Sequence, residues 1–274
     1  MLPTMDRYVI QAAYKTLQIL LVFGEAPHRF TAARVAELTG MDRGQVFRSL
    51  RTLERAGLVR LEDDQHYVLS RVIGTLALAG HRVNSSLTEL ARPYLNELAR
   101  STGETAVLGA LSGESMILLD LCESNRVVRW ASLIGHAFPL HAGGARAVLP
   151  YLPKAQWERL LERLPELPVY TPYTLSRPES LLEDIQRTYR QGYSVGDQDY
   201  DLETRSVSAP IFNQQGRVIG ALSLAGPSYR FALESIPAYA QAVMEYAQQI
   251  SRQSGYAGLY PNPHTELALE GGEN

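Results

Sequence analysis

Residues 39–60, TGMDRGQVFRSLRTLERAGLVR, constrain this chain more than any other stretch, because they demand a short helix that is apolar along one side only. At about 100° per residue, Val46, Leu50 and Leu53 fall on one stripe fit for burial, while Gln45, Arg48, Ser49, Thr52 and Arg55 point away from it. The second face carries donors suited to base edges and phosphates. Between residues 41 and 60 the arginines 43, 48, 51, 55 and 60 stand against Asp42 and Glu54, a local charge of +3 in a chain whose net charge is −3. The excess sits where contact with DNA is expected.

The neighbouring residues place that helix in a motif. A first helix is expected over 8–23, with Ile10, Ala13, Leu17, Leu20 and Leu21 as its core stripe, ending at Gly24. A second opens at Thr31, an N-cap residue, and buries Val35, Ala36 and Leu38 before Gly40 breaks it. Asp42 caps the third helix, which stops at Gly57, and VRLE and HYVL form a hairpin around Asp63, Asp64 and Gln65. Three helices closed by a two-stranded wing describe a winged helix-turn-helix over residues 1–70.

From 70 to 101 the pattern is helical again, with a break expected at 84–86 between a linker helix, 71–86, and the first helix of a second domain, 87–255. Leu76, Leu78 and Ala79 are too apolar for a lone solvated helix, so the linker is expected to pack against a second copy of itself. TAVLGALSG and ESMILLDLCES read as a hairpin around Ser112, Gly113 and Glu114, and VVRWASLIG as a third strand. Helices are expected near 143–152, 155–164 and 179–191, then strands SVSAPIFN and RVIGALSLAG across Gln214-Gln215-Gly216, and a closing helix over 237–252 carrying Tyr239, Val243, Tyr246, Ala247 and Ile250. The fold class is α+β multidomain, and the tail 256–274, punctuated by Pro and Gly, is expected to be flexible.

A chain of 274 residues with 45% hydrophobic content supports two folded units better than one. The single cysteine, Cys122, excludes an internal disulfide and a Cys-based zinc finger and suits a reducing cytoplasm, where it would be a small buried hydrophobe. The longest apolar run, 17–23, is far short of the ~20 residues of a membrane span. With no secretory signal after Arg7, the expectation is a soluble, cytoplasmic protein without membrane contact.

Catalytic and metal constellations are not expected. His136 and His141 lie five apart with no paired Cys, His or carboxylate motif, which favours hydrogen-bonded structural or pocket histidines. Asp197, Asp199 and Asp201 lack the Gly and closing Glu of a calcium hand and read as a solvated acidic loop near a pocket mouth. The chain has no Walker-type loop or dinucleotide fingerprint, so no cofactor and no enzymatic activity are expected.

Four stretches, MDRGQVFRSLRTLERAGLV, LARPYLNELARSTGETAVLGALSG, GHAFPLHAGGARAVLPYLP and SAPIFNQQGRVIGALSLAGP, resemble the IclR family of bacterial transcriptional regulators, in family order across about 8–250. The resemblance implies a DNA-binding winged helix followed by a GAF-like domain that binds a small effector, assembled as a homodimer or a dimer of dimers. Gln45, Arg48, Ser49 and Thr52 match the family's groove-facing positions, with Arg43 and Arg51 adding charge beside them. Thr31 and Arg34 are placed to touch phosphate, and Arg60 and His66 on the wing to reach the flanking strand.

For the effector, the resemblance points to Gly144 and Ala145 after the Pro-Leu-His segment, to Gly196 with Asp197 and Asp199, to Ser206, and to Ser223 and Ala225, with His141 nearby. This chain departs from the family pattern: the loop HAGGARAV is a residue short and has Arg146 where Lys is common, Ser206 replaces the usual Cys and Ala225 the usual second serine. These changes remove polar partners, and with an apolar lining of Leu133, Phe138, Leu140 and Leu224 they point away from glyoxylate-type acids towards a larger organic acid or an aromatic ligand. The leading function is a ligand-responsive regulator of a pseudo-palindromic operator in double-stranded DNA. The alternatives are an enzyme with an accessory DNA-binding head, which would need a glycine-rich nucleotide loop, and a protein-interaction module, which would not need the basic helix face.

Overall fold

The structure, a computed structural model, describes residues 8–24 and 27–263, and for 77–85 the backbone alone. The chain forms two compact units, 1–84 and 85–274.

In the first unit, α1 (Gln11–Val22), α2 (Ala32–Thr39) and α3 (Arg43–Arg55) precede a small antiparallel sheet. Thr31 caps α2 by accepting the Arg34 N–H at 3.3 Å, and Asp42 caps α3 by accepting the Gln45 N–H at 3.1 Å. Gly40, at φ +65°, supplies the left-handed residue that ends α2 and turns the chain into α3. The wing has three strands rather than two. Strands β2 (Val59–Leu61) and β3 (Tyr67–Leu69) form the expected hairpin, and β1 (Arg29–Phe30) pairs with the other side of β3. A two-residue strand leaves no periodicity to read.

The core stripe of α1 is corrected. Ile19 and Phe23 are fully buried, and Phe23 meets Phe30 edge-on at 5.6 Å, whereas Ile10, Ala13, Leu17 and Leu21 are exposed and only Leu20 of the expected set is half-buried. The segment LQILLVF is apolar nearly all round, so period alone cannot choose between its two faces. Leu38, in the last turn of α2, is likewise exposed.

The expected break at 84–86 is absent: α4 runs unbroken over Arg71–Thr102 and accommodates Pro93. Asn84, Ser85 and Ser86 are weak helix formers but not breakers. Val72 and Leu76 are exposed, while Leu78 and Ala79 lie outside the described side chains.

The second unit is built on a six-stranded antiparallel sheet in the order β6-β5-β4-β9-β8-β7. Its strands are β4 (Thr105–Ser112), β5 (Ser115–Cys122), β6 (Ala137–Pro139), β7 (Ser194–Asp197), β8 (Thr204–Phe212) and β9 (Val218–Pro227). Alternation divides the side chains between two faces. Ala106, Leu108, Val207, Ala209, Leu222 and Leu224 pack under Ala91, Leu95 and Leu98 of α4 and under Val243, Ala247 and Ile250 of α7 (Ile236–Gln253). The opposite face, with Gly109, Met116, Ala221 and Ser223, meets a layer made of a 3-10 segment, Gly143–Tyr151, and of α5 (Lys154–Arg163) and α6 (Pro178–Gln191).

Two further expectations change here. VVRWASLIG is not a strand: the third strand is β6, and the stretch before it is a loop held by Thr105 Oγ1 donating to the Trp130 carbonyl at 2.8 Å and by Arg230 donating to that of Val128 at 3.1 Å. The helix expected at 143–152 is present over Gly143–Tyr151, wound as 3-10. The tail begins as packed structure: Tyr260 Oη donates to the Pro210 carbonyl at 2.8 Å, Asn262 to that of Gly216 at 2.9 Å, and Tyr256 is buried. Residues 264–274 of the expected flexible tail lie outside the described residues.

Candidate functional site

The exposed side of α3 is basic. Arg43, Arg48 and Arg55 have no ion-pair partner among the described residues, and Arg51 is held by Glu54 at 2.6 Å. Thr52 is exposed, its hydroxyl donating to the Arg48 carbonyl at 2.8 Å, and Gln45 is half-buried.

Ser49 belongs to the other side. It is 6% exposed and its hydroxyl pairs with Thr16 of α1 at 3.0 Å, so the groove-facing role expected for it is corrected to a helix-packing one. It lies at the edge of the Val46, Leu50 and Leu53 stripe, where a small polar residue fits against a neighbouring hydroxyl.

At the periphery, Arg34 pairs with Glu37 at 2.9 Å and Arg60 with Glu62 at 2.9 Å. His66 lies 3.2 Å from Asp64, whose carboxylate is also bound by Arg29. Arg29 holds Asp64 below the ordinary range of an aspartate, partial desolvation opposing it. These exposed pairs are weak, and phosphate can compete for the arginines at little cost.

The second unit holds a cavity of about 660 Å³, its open mouth included, between the sheet and the 3-10 segment. Its floor is Val107 and Gly109 of β4, Met116 and Leu118 of β5, Ala221, Ser223 and Ala225 of β9, and Thr204, Arg205 and Ser206 of β8. One wall is Gly143, Gly144 and Ala145, and another is Gly196 with Asp199, Tyr200 and Asp201. Trp130 and Phe138 complete the lining, and the Phe138 ring meets Tyr200 at 5.3 Å and His136 at 4.5 Å. His136 in turn reaches Tyr200 Oη at 3.0 Å.

Two glycines keep this space open. A Cβ on Gly144 would collide with Ser208 Oγ and crowd Ser223 Oγ at 3.1 Å, and one on Gly196 would meet Ser206 Oγ at 2.5 Å. Ser208 Oγ is buried with no hydrogen-bond partner among the described residues.

Behind the wall, Arg146 is 3% exposed. Its Nε donates to Asp199 Oδ2 at 3.1 Å, its other nitrogens to Asp184 and to the Val195 carbonyl at 2.6 Å, and the Gly143 N–H shares Asp199 Oδ2 at 2.9 Å. Burial opposes the charge on Arg146, but Asp199 and Asp184 outweigh it and raise the guanidinium pKa. Arg205 is similarly engaged, by Asp197 at 2.9 Å and by the carbonyls of Ser228 and Phe231.

The chain matches the model of the IclR helix-turn-helix domain over residues 12–63 and that of the bacterial transcriptional regulator IclR C-terminal domain over 81–252. It belongs to the IclR family of bacterial transcriptional regulators. The regulator KipR of Bacillus subtilis is 31% identical over 88% of this chain and 96% of its own length. The crystal structure of an IclR transcriptional regulator from a Silicibacter species superposes with a TM-score of 0.80 at 25% identity, covering 92% of this chain and 99% of that one. An IclR homolog from Microbacterium hydrocarbonoxydans, complexed with 4-hydroxybenzoate, shares the fold with a TM-score of 0.69 at 20% identity, over 88% of this chain and 98% of that one.

As an IclR-family member the chain is a DNA-binding transcriptional regulator, and the family C-terminal domain contains the cavity. Of the residues expected there, Phe138, Gly144, Ala145, Gly196, Asp199, Ser206, Ser223 and Ala225 line it. Leu133 is 73% exposed in the loop before β6, Leu140 and Leu224 are buried in the two core layers, and Asp197 turns to Arg205, so these four are corrected out of the lining. His141 is also out of it: it is 2% exposed, its Nε2 donates to the Pro168 carbonyl at 3.0 Å, and burial lowers its pKa. The acidic loop is corrected too, since Asp199 is buried rather than solvated. Trp130, Tyr200 and Met116 also line the cavity and were not expected, because they come from segments distant in sequence. No group of three or more His, Cys, Asp or Glu side chains that could hold a metal occurs among the described residues. No described helix is long and apolar enough to cross a membrane.

Proposed function

We propose that the chain is an effector-gated, cytoplasmic regulator acting as a homodimer on a two-fold operator, with the DNA-binding unit over 1–70, a linker over 71–86 and the effector domain over 87–255. In this reading α3 lies in the major groove, Arg48, Gln45 and Thr52 reach base edges, and Arg43, Arg51, Thr31, Arg34, Arg60 and His66 meet phosphate. Support for a second copy comes from apolar surface: Ile10 just before α1, Leu17 and Leu21 on α1, and Val72 and Leu76 on α4, are all about half exposed or more.

The observation that carries the effector assignment is the cavity lining: an aromatic mouth of Trp130, Phe138 and Tyr200 over a floor of Ser206 and Ser223 hydroxyls. Such a site suits a small aromatic acid. The ring packs against Phe138, Met116 and Leu118, and the carboxylate takes serine hydroxyls and the N–H groups of Gly144 and Ala145 at the start of the 3-10 segment. The 4-hydroxybenzoate complex of the Microbacterium homolog supports the same ligand class. The test is a thermal-shift series of hydroxybenzoates against two- and three-carbon acids, followed by DNA binding with any stabilising compound. Stabilisation by aromatic acids, with a change in DNA affinity, is the expected result; stabilisation by the small acids alone would overturn it.

A further inference from the structure

Phe47 stands in the middle of the basic side of α3 and is 55% exposed. A single exposed apolar side chain on a protein surface needs no explanation; its position here does. Phe47 lies one turn after Arg43 and one turn before Arg51 on the same stripe, next to Arg48, and it is absent from the core that the adjoining stripe of Val46, Leu50 and Leu53 builds. Gly44, three residues earlier on this side, has no side chain to screen it, and a Cβ there would meet only Asp42 Oδ1 at 3.0 Å and Arg48 Nη1 at 3.4 Å. The ring is therefore presented to solvent between cations, in the half of a recognition helix that enters the groove first.

The major groove offers one apolar feature among its donors and acceptors, the 5-methyl group of thymine. We infer that Phe47 is a specificity-determining residue that reads a thymine of the operator by packing its ring on that methyl group. Arg43 and Arg48, unpaired among the described residues, hold the ring in place by binding the flanking phosphates and base edges. The assignment rests on α3 being the DNA-reading helix.

The test uses the full chain. A bound sequence is selected from random DNA, and each thymine in it is replaced in turn by deoxyuridine, which lacks only the 5-methyl group. At one thymine in each repeat of the site, the loss of the methyl is expected to weaken the natural chain about fourfold, the worth of one buried carbon. Phe47→Ala should bind thymine and deoxyuridine equally at that position, and selection with it should lose that thymine and keep the flanking bases. Phe47→Leu, which keeps an apolar tip, should retain part of the discrimination and guards against an alanine variant that folds poorly. A selected site with no methyl dependence, or discrimination that survives in Phe47→Ala, would overturn the role of Phe47 alone. Failure of the natural chain to select any sequence would overturn the DNA-reading role of α3 and this inference with it.

Discussion

Arg146 and Asp199 meet at 3.0 Å with both side chains about 95% withdrawn from water, and the same Asp199 oxygen holds the first N–H of the 3-10 segment that walls the cavity. Removing one member of such a pair strands the other charge. Asp199→Asn is expected to cost about 3 kcal/mol, the low end for a broken buried pair, because Asp184 still faces Arg146. Denaturant unfolding measures this, and a negligible loss would mean that Asp184 alone neutralises the guanidinium.

Arg48 is exposed and has no partner among the described residues, so its replacement leaves the fold intact. Arg48→Ala should weaken operator binding about tenfold or more, with unchanged thermal stability. Isotherms at several salt concentrations separate its two possible roles: a phosphate contact flattens the salt slope by about one, whereas a base contact relaxes sequence preference.

Ser49 should behave in the opposite way. Ser49→Ala loses the hydrogen bond to Thr16 and is expected to lower stability by about 1 kcal/mol while DNA affinity stays the same. A clear loss of affinity in a stable Ser49→Ala chain would return Ser49 to the groove.

Gly144→Ala pushes a methyl into the space in front of Ser208 and Ser223. The variant should fold and bind DNA but lose the rise in melting temperature produced by an aromatic acid. A full ligand response from Gly144→Ala would place the ligand elsewhere.

The buried His141 gives a pH dependence of known sign. Its folded pKa lies below the unfolded value of about 6.5, so its stabilising contribution is complete above that pH and is lost as pH falls through 6.5 towards the folded value. Between pH 7 and pH 5 the melting temperature of the natural chain should drop further than that of His141→Gln, whose amide can still donate to the Pro168 carbonyl. Parallel curves would show that His141 does not titrate in that range.

Local chemistry made the helix-turn-helix legible: the caps Thr31 and Asp42 and the stop at Gly57 are each visible in a few consecutive residues. The strands β4, β5, β8 and β9 were legible for the same reason, since turns at Gly113 and Gly216 separate runs of apolar residues. What could not be read depends on partners distant in sequence. Ile19 rather than Leu17 faces inward because α3 lies on that side, and the loop before β6 is apolar enough for a strand but is fastened by Thr105 and Arg230. Gly144, Ala145 and Gly196 were placed at the cavity by the family resemblance, and the structure shows why small residues stand at two of them: a Cβ on Gly144 or Gly196 would run into a serine hydroxyl. Of the cavity's mouth only Phe138 was expected, because Trp130 and Tyr200 reach it from two other segments.

The engagement of Arg146 and Arg205 by their own carboxylates and carbonyls has a consequence for selectivity by valence. A ligand with a single negative charge can be received by dipoles alone, the serine hydroxyls and the backbone N–H groups. A second negative charge on the same small molecule would arrive where both guanidinium groups are already neutralised and where Asp199 and Asp201 stand at the wall. Each added anionic group would thus bring a desolvation cost with no free counter-ion among the described lining residues to offset it, and monoanions are expected to bind better than dianions of the same size.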